Sequence, residues 1–240
     1  MVQFLGLDPS LPIALDAVGT LIVPTEPVAQ TYRQHAAGLG VALSTEEIQV
    51  RFRQLYSEIW GTAGESETSE VIERDRWRQL IDGIFGDATP RSQQLFESLW
   101  EHYATAGAWK LAPGAASLIK ALKHDGRVWG IASNFDQRLH QVLATFSELS
   151  SVPFAMTSAE IGRSKPSSDF FHAVAHRMDH AQPLMLGDSF KHDVVGAIRA
   201  GWWSAWITTT DDEPNWADLP RDRLVFRGSL VDFSRQFVLG

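Results

Sequence analysis

No cysteine occurs in the 240 residues, so thiol nucleophiles, disulfides and zinc–thiolate sites are excluded. Basic residues are in the minority. Lys and Arg number 21 against 29 Asp and Glu, a formal net charge of −8, which speaks against a broad nucleic-acid surface. A small anionic substrate stays possible, because one bound cation and one lysine reverse the local sign. No apolar run reaches the length of roughly 20 residues that a bilayer span needs. The opening MVQFLGLDPSLP is apolar but has neither a basic segment nor a small-residue cleavage site. A cytoplasmic protein without a signal peptide, and without membrane or nucleic-acid partners, is therefore expected. Internal repeats and low-complexity tracts are also lacking. With 44% apolar and 21% charged residues, the composition is that of an ordinary globular protein, long enough for one large domain or two small ones.

The pattern along the chain changes twice. Pro12 to Leu21 reads as a buried strand. From Glu26 to about Gly107 apolar residues recur at helical spacing. Ile48, Phe52, Leu55, Tyr56 and Ile59 form one stripe, opened by a Ser44/Glu47 capping box. Trp77, Leu80, Ile81 and Ile84 form a second, and Leu95, Leu99, Trp100 and Tyr103 a third. Gly61, Gly64, Gly86 and Pro90 punctuate these runs. After Pro113, helices and strands alternate: strands at Arg127–Ala132, Phe154–Thr157, Pro183–Leu186 and Trp203–Thr208, a short edge strand at Leu224–Phe226, and helices between them. The helix at Val194–Ala200 stops at Gly201. Alternation of this kind implies an α/β fold, a parallel sheet with helices on both faces. Helices inserted straight after the first strand are placed to cover a site at the sheet edge.

Four polar signals follow one another along the chain. Asp16 ends the run Ile13-Ala14-Leu15 and is followed by Gly19-Thr20. Such strand ends lie where open α/β sheets bind ligands. Asp16 reads either as a nucleophile or as a buried capping carboxylate. Ser133-Asn134 close Val128 to Ala132; they can hold an oxyanion or cap the next helix. Lys165 precedes Pro166, which favours a helix's first turn and keeps Lys165 non-helical. Asp188 and Asp193 flank a short turn after an apolar strand, a set that suits Mg²⁺. All four in this order outweigh any one alone.

This constellation resembles the haloacid dehalogenase superfamily of hydrolases over nearly the whole chain. The wording DAVGTL resembles most the subgroup of haloacid dehalogenase-like domain-containing protein 3. The resemblance implies a Rossmann-like core over residues 1–23 and 108–240, with an all-helical cap over residues 24–107. It also implies a phosphatase of a small phosphorylated metabolite. In that reading Asp16 forms an aspartyl-phosphate, Ser133 and the Asn134 amide bind phosphate oxygens, and Lys165 offsets negative charge. Mg²⁺ is held by Asp16, the Val18 carbonyl and Asp188, with Asp193 ordering metal-bound waters or Lys165.

Val18 departs from the family pattern, which has a second Asp there to protonate the leaving group and activate water. Positioned acid–base groups contribute about 10²–10⁴ in rate, so weak turnover or a substitute such as His35 or His192 is expected. The L-2-haloacid dehalogenases of the same superfamily also lack that Asp, need no metal and carry an early cap Arg, for which Arg51 and Arg53 are candidates. Asp188 favours phosphate-ester hydrolysis over that alternative, since two adjacent carboxylates without a cation repel. A non-catalytic phosphate- and metal-binding module is the third reading. Trp60, Trp77 and Trp100 read either as cap core or as pocket lining.

Overall fold

The computed structural model describes residues 8, 10–61, 67–86, 90–216 and 219–239. Gly64 and most of the opening apolar stretch, residues 1–7 and 9, lie outside the described residues. Six strands form one sheet: β1 (Ile13–Leu15), β4 (Trp129–Ser133), β5 (Ala155–Thr157), β6 (Leu184–Gly187), β7 (Trp203–Ile207) and β8 (Leu224–Gly228). Every pairing is parallel, in the order β5-β4-β1-β6-β7-β8. Parallel strands are covered on both faces, hence their near-continuous apolar sequences. Alternation sorts the two sides of β1. Ile13 and Leu15 join a cluster with Ile119 and Leu122 of α5 (Ala115–Asp125) and Phe233 of α10 (Leu230–Leu239). Ala14 faces Phe170 and Val174 of α8 (Ser168–Met178).

The chain leaves β1 for β4 and β5 on one side, then returns to β6, β7 and β8 on the other. This makes β1 the switch point, where a crevice opens beyond the strands' carboxyl ends. Leu15 lies opposite both Ile131 and Leu186, so Asp16 emerges into that crevice.

Between β1 and the rest of the sheet lies a helical insert: α1 (Val28–Gly38), α2 (Thr45–Gly61), α3 (Glu70–Phe85) and α4 (Pro90–His102). It buries its own apolar set, including Tyr32, Ile48, Leu80, Ile84, Phe96 and Leu99. The Ser44/Glu47 capping box is present, with Glu47 N–H donating to Ser44 Oγ (3.2 Å) and Ser44 N–H to Glu47 Oε2 (2.9 Å). The insert is entered and left through an antiparallel ribbon of β2 (Ile22–Pro24) and β3 (Trp109–Leu111). Sequence periodicity does not reveal this ribbon, because three residues per strand are too few for a period of two to register.

Three local expectations need correction. The first strand stops at Leu15, not Leu21, because the N–H groups of Leu21 and Ile22 both turn back to the Ala17 carbonyl. The helix after Pro166 starts only at Ser168, capped by the Ser167 side chain. The helix expected at Val194–Ala200 is a π-helical turn (Phe190–Val195) followed by α9 (Gly196–Arg199). Among the described residues no helix is long and apolar enough to cross a membrane.

Candidate active site

The turn after β1 is built around Gly19, whose φ of +93° lies in the left-handed region that glycine enters without a Cβ penalty. A Cβ at that position would also collide with the Asp188 carboxylate. Gly187 is pressed in the same way against the Asp193 side chain. Two glycines thus let two acidic side chains pack directly on backbone, one on the turn after β1 and one at the end of β6.

Lys165 is the hub. Its side chain is 2% exposed, and its ammonium donates to Asp16 Oδ1 (2.7 Å), Asp193 Oδ1 (2.6 Å) and the Ala132 carbonyl (3.1 Å). Burial by itself would favour loss of the proton. The two carboxylates outweigh it and hold the Lys165 pKa above its ordinary value. The loop that carries Lys165 is clamped by Asn134, which accepts from the Lys165 N–H through Oδ1 (2.8 Å) and donates to the Lys165 carbonyl through Nδ2 (3.0 Å). Ser133 Oγ donates to Asp16 Oδ1 (3.0 Å). Asp16 Oδ1 is thereby fixed from two sides, and among the described residues no donor engages Oδ2. Burial first, and then the Asp193 charge, raise the Asp16 pKa against the opposing pull of Lys165.

Asp193 sits in the π-helical turn, a distortion found often at functional sites. Its Oδ1 takes the Lys165 bond and its Oδ2 accepts from the Ser189 N–H (2.9 Å). Asp188 opens onto the crevice and accepts a long bond from Thr20 Oγ1 (3.3 Å). Enclosure in the cleft, then the charges of Asp16 and Asp193, push the Asp188 carboxyl up to about 7. Carboxylate oxygens of Asp16, Asp188 and Asp193 lie within 4.8 Å of one another. Three carboxylates against one ammonium, all with hard oxygen donors, fit a divalent cation such as Mg²⁺.

These groups form the floor of a cavity of about 460 Å³. Val18 lines it beside Asp16. His192 also lines it, with Nδ1 against Ser189 Oγ (3.1 Å). Burial, followed by the charges of Lys165 and Lys191, pushes the His192 pKa down to about 4 and leaves the imidazole neutral. His35 instead meets Ser98 Oγ (2.7 Å) and the His102 ring in the insert, away from the cavity lining. Arg51 and Arg53 are likewise absent from that lining. Arg51 donates to the Ile84 carbonyl and Arg53 to that of Gln49.

The roof comes from the insert. Tyr32, Phe52, Tyr56, Trp77 and Trp100 line it, together with Arg138 from α6 (Arg138–Thr145). Trp60 lies behind, with its ring 4.7 Å from that of Tyr56. Tyr32, Phe52, Tyr56 and Arg138 carry no signal of their own in the sequence, because helical spacing reads identically for core and for pocket wall. Insert and sheet domain also touch directly. The Gln137 N–H donates to the Glu70 carboxylate (3.0 Å), the Thr68 N–H to the Gly162 carbonyl (3.1 Å), and Lys191 Nζ to the Gly61 carbonyl (3.1 Å).

The family model of haloacid dehalogenase-like hydrolases matches residues 13–201. Haloacid dehalogenase-like hydrolase domain-containing protein 3 of Bos taurus is 25% identical over 198 residues, covering 79% of this chain and 78% of that protein. Among solved structures, a HAD hydrolase of Bacillus subtilis bound to magnesium superposes with a TM-score of 0.66 at 18% identity, over 91% of this chain and 93% of that one. A dehalogenase superposes with a TM-score of 0.72 at 18% identity, over 94% and 96%.

Proposed function

The chain belongs to the haloacid dehalogenase-like hydrolases, and we propose that it is a Mg²⁺-dependent phosphatase of a small phosphorylated metabolite with Asp16 as nucleophile. One observation carries this choice. Asp188 stands beside Asp16 in a crevice where their charges repel unless a cation lies between them. The magnesium bound to the Bacillus subtilis neighbour supports the same reading. Bound by Asp16, the Val18 carbonyl and Asp188, Mg²⁺ would supply charge neutralisation for the phosphoryl group.

The chain's own groups divide the work. Ser133 and Lys165 pin Asp16 Oδ1, which leaves Oδ2 to attack phosphorus. The phosphorus–oxygen bond to the leaving alcohol breaks, and an aspartyl-phosphate remains until water attacks the same phosphorus, which breaks the bond to Asp16 Oδ2, releases inorganic phosphate and gives a proton to solvent. When substrate enters, Ser133 would turn its one hydroxyl hydrogen from Asp16 to a phosphate oxygen, the Asn134 backbone N–H would donate to another, and Lys165 offsets their charge. Phosphoryl transfer is mostly positioning and charge stabilisation, which this set supplies. Asp193 acts through Lys165, holding its ammonium in place. Val18 has no proton to give, so the departing alkoxide takes one from water and turnover is slow. The segment 24–107 covers the site and limits what enters it.

Dehalogenation is the second reading. Val18 favours it, since displacement of halide from carbon needs no proton donor. Asp188 opposes it. The test is a panel of phosphorylated metabolites with Mg²⁺ run beside 2-haloacids without it. Phosphate release that disappears in Asp16→Asn is expected. Halide release alone, or phosphate release that persists in Asp16→Asn, overturns the proposal.

A further inference from the structure

We propose that the roof of the cavity selects a phosphate monoester of an uncharged aromatic alcohol, in preference to a sugar or polyol phosphate. This rests on the phosphatase reading and adds the class of the leaving group. The floor is charged and the roof is apolar. Phe52, Tyr56, Trp77 and Ile81 face the space above Asp16, and Val18 continues the apolar lining down to the nucleophile. The rings are already arranged. Tyr56 stacks on Phe52 (5.7 Å, 9° between planes) and on Trp60 (4.7 Å, 20°), and Trp60 leans on Trp77 (4.8 Å). Trp60 is held from behind, its Nε1 donating to buried Glu73 (3.1 Å), which Arg76 pairs at 2.6 Å. A wall fixed in this way takes a planar apolar group without ordering its own side chains, which is where binding otherwise loses affinity.

Arg138 is the only charged group of the roof among the described lining residues, and it is already engaged. It donates to both oxygens of Asp136 (2.8 and 2.6 Å) and sits 3.4 Å from the Trp100 ring centroid. With Nε and one terminal nitrogen bonded to Asp136, and NH1 directed at the Trp100 carbonyl (3.3 Å), its charge is already matched by a buried carboxylate. The other polar atoms of this wall are borne on tyrosine and tryptophan rings. A sugar entering here would meet these few ring hydroxyls and N–H groups, fewer partners than its own hydroxyls need, and each one left unpaired costs about ten-fold in affinity.

The experiment compares 2-(1-naphthyl)ethyl phosphate with glucose 6-phosphate at saturating Mg²⁺. Both are esters of primary alcohols, so the bond broken is alike and the group above it differs. The kcat/KM ratio is expected to favour the naphthyl ester by about 30-fold or more, and to shrink at least about five-fold in Trp77→Ala. Calorimetric binding of 2-(1-naphthyl)ethylphosphonate against 2-aminoethylphosphonate to the wild-type protein gives a second readout, independent of turnover and of any variant's folding. Naphthyl preference in binding, with no monoester hydrolysed, keeps the pocket assignment and removes the phosphatase reading. Hydrolysis of glucose 6-phosphate as fast as the naphthyl ester keeps the phosphatase reading and overturns the pocket. Equal binding of the two phosphonates overturns the pocket as well.

Discussion

Replacing Val18 by aspartate asks whether one missing carboxyl limits the reaction. The side chain lines the cavity beside Asp16 and is partly buried against the sheet's core cluster. A carboxyl there lies on the turn that carries the nucleophile. A well-placed general acid contributes about 10²–10⁴ in rate, which is about 3–5 kcal/mol of barrier. The site reduces that gain in two ways. Trading a half-buried isopropyl group for a carboxyl costs about 1 kcal/mol of stability. A fourth carboxyl would join Asp16, Asp188 and Asp193 with Lys165 as their one ammonium. The added repulsion raises the new group's pKa, which suits it to donate a proton and weakens it as the base for the second step. The expected net result is about ten-fold or more in phosphate-ester turnover. Initial rates at saturating Mg²⁺ are compared between wild type and Val18→Asp, with folding matched by circular dichroism. No increase, while calorimetry shows Mg²⁺ binding intact, would refute the view that Val18 sets the rate.

Three further outcomes are expected. Asp188→Ala should weaken Mg²⁺ binding at least about ten-fold by calorimetry; unchanged affinity removes Asp188 from the ligand set. Lys165→Met leaves Asp16 and Asp193 as adjacent buried carboxylates, so urea unfolding should show a loss of about 3–5 kcal/mol, partly restored by Mg²⁺. The Asp188 carboxyl, raised in the folded protein to about 7 from an unfolded value of about 4, binds its proton more tightly when folded. Its contribution to stability is complete below about pH 4 and is lost as pH rises through about 7. Melting of the metal-free protein should therefore move to lower temperature between pH 5 and pH 8, as roughly that interval spans the titration. Mg²⁺ should restore it at pH 8 and do little at pH 5, and a pH-independent response to Mg²⁺ would contradict this.

The floor of the site was legible because each of its members is announced by its neighbours in sequence. Asp16, Ser133 and Asp188 each end an apolar run, and Lys165 is flagged by the proline after it. The structure brings all four into one crevice, because β4, β1 and β6 are adjacent and parallel. The roof was legible only as an open alternative between core and pocket wall, in which Trp77 and Trp100 line the cavity and Trp60 does not. Trp77 and Trp60 nonetheless both stand at helical spacing on apolar stripes. The Arg138–Trp100 pairing joins residues 38 apart across two elements, and nothing local marks either end. Arg51 and Arg53 were plausible as polar residues early in the insert, but their position on α2 directs them to backbone carbonyls. The π-helical turn was hidden for a different reason. Its apolar spacing is close enough to that of an α-helix that only the hydrogen-bond geometry separates them.

The charge of the floor is the ground for preferring one of the two chemistries open to this fold. Asp16, Asp188 and Asp193 carry three formal negative charges and Lys165 one positive. A 2-haloacid entering without a cation would bring its own carboxylate beside Asp16, Asp188 and Asp193, where enclosure and then mutual repulsion already push the Asp188 carboxyl up to about 7. Arg51 and Arg53 are absent from the cavity lining and donate to backbone carbonyls instead, and Arg138 is paired with Asp136. A phosphate monoester entering with a divalent cation meets a formally neutral site, with an ammonium beside the nucleophile. Low-dielectric enclosure magnifies the difference, since like charges a few ångströms apart are poorly screened there. Val18 leaves that balance untouched, because an isopropyl group adds no charge. On the phosphatase reading proposed above, Val18 therefore bears on how fast an ester would be cleaved, and Asp188 on which substrate the site would hold.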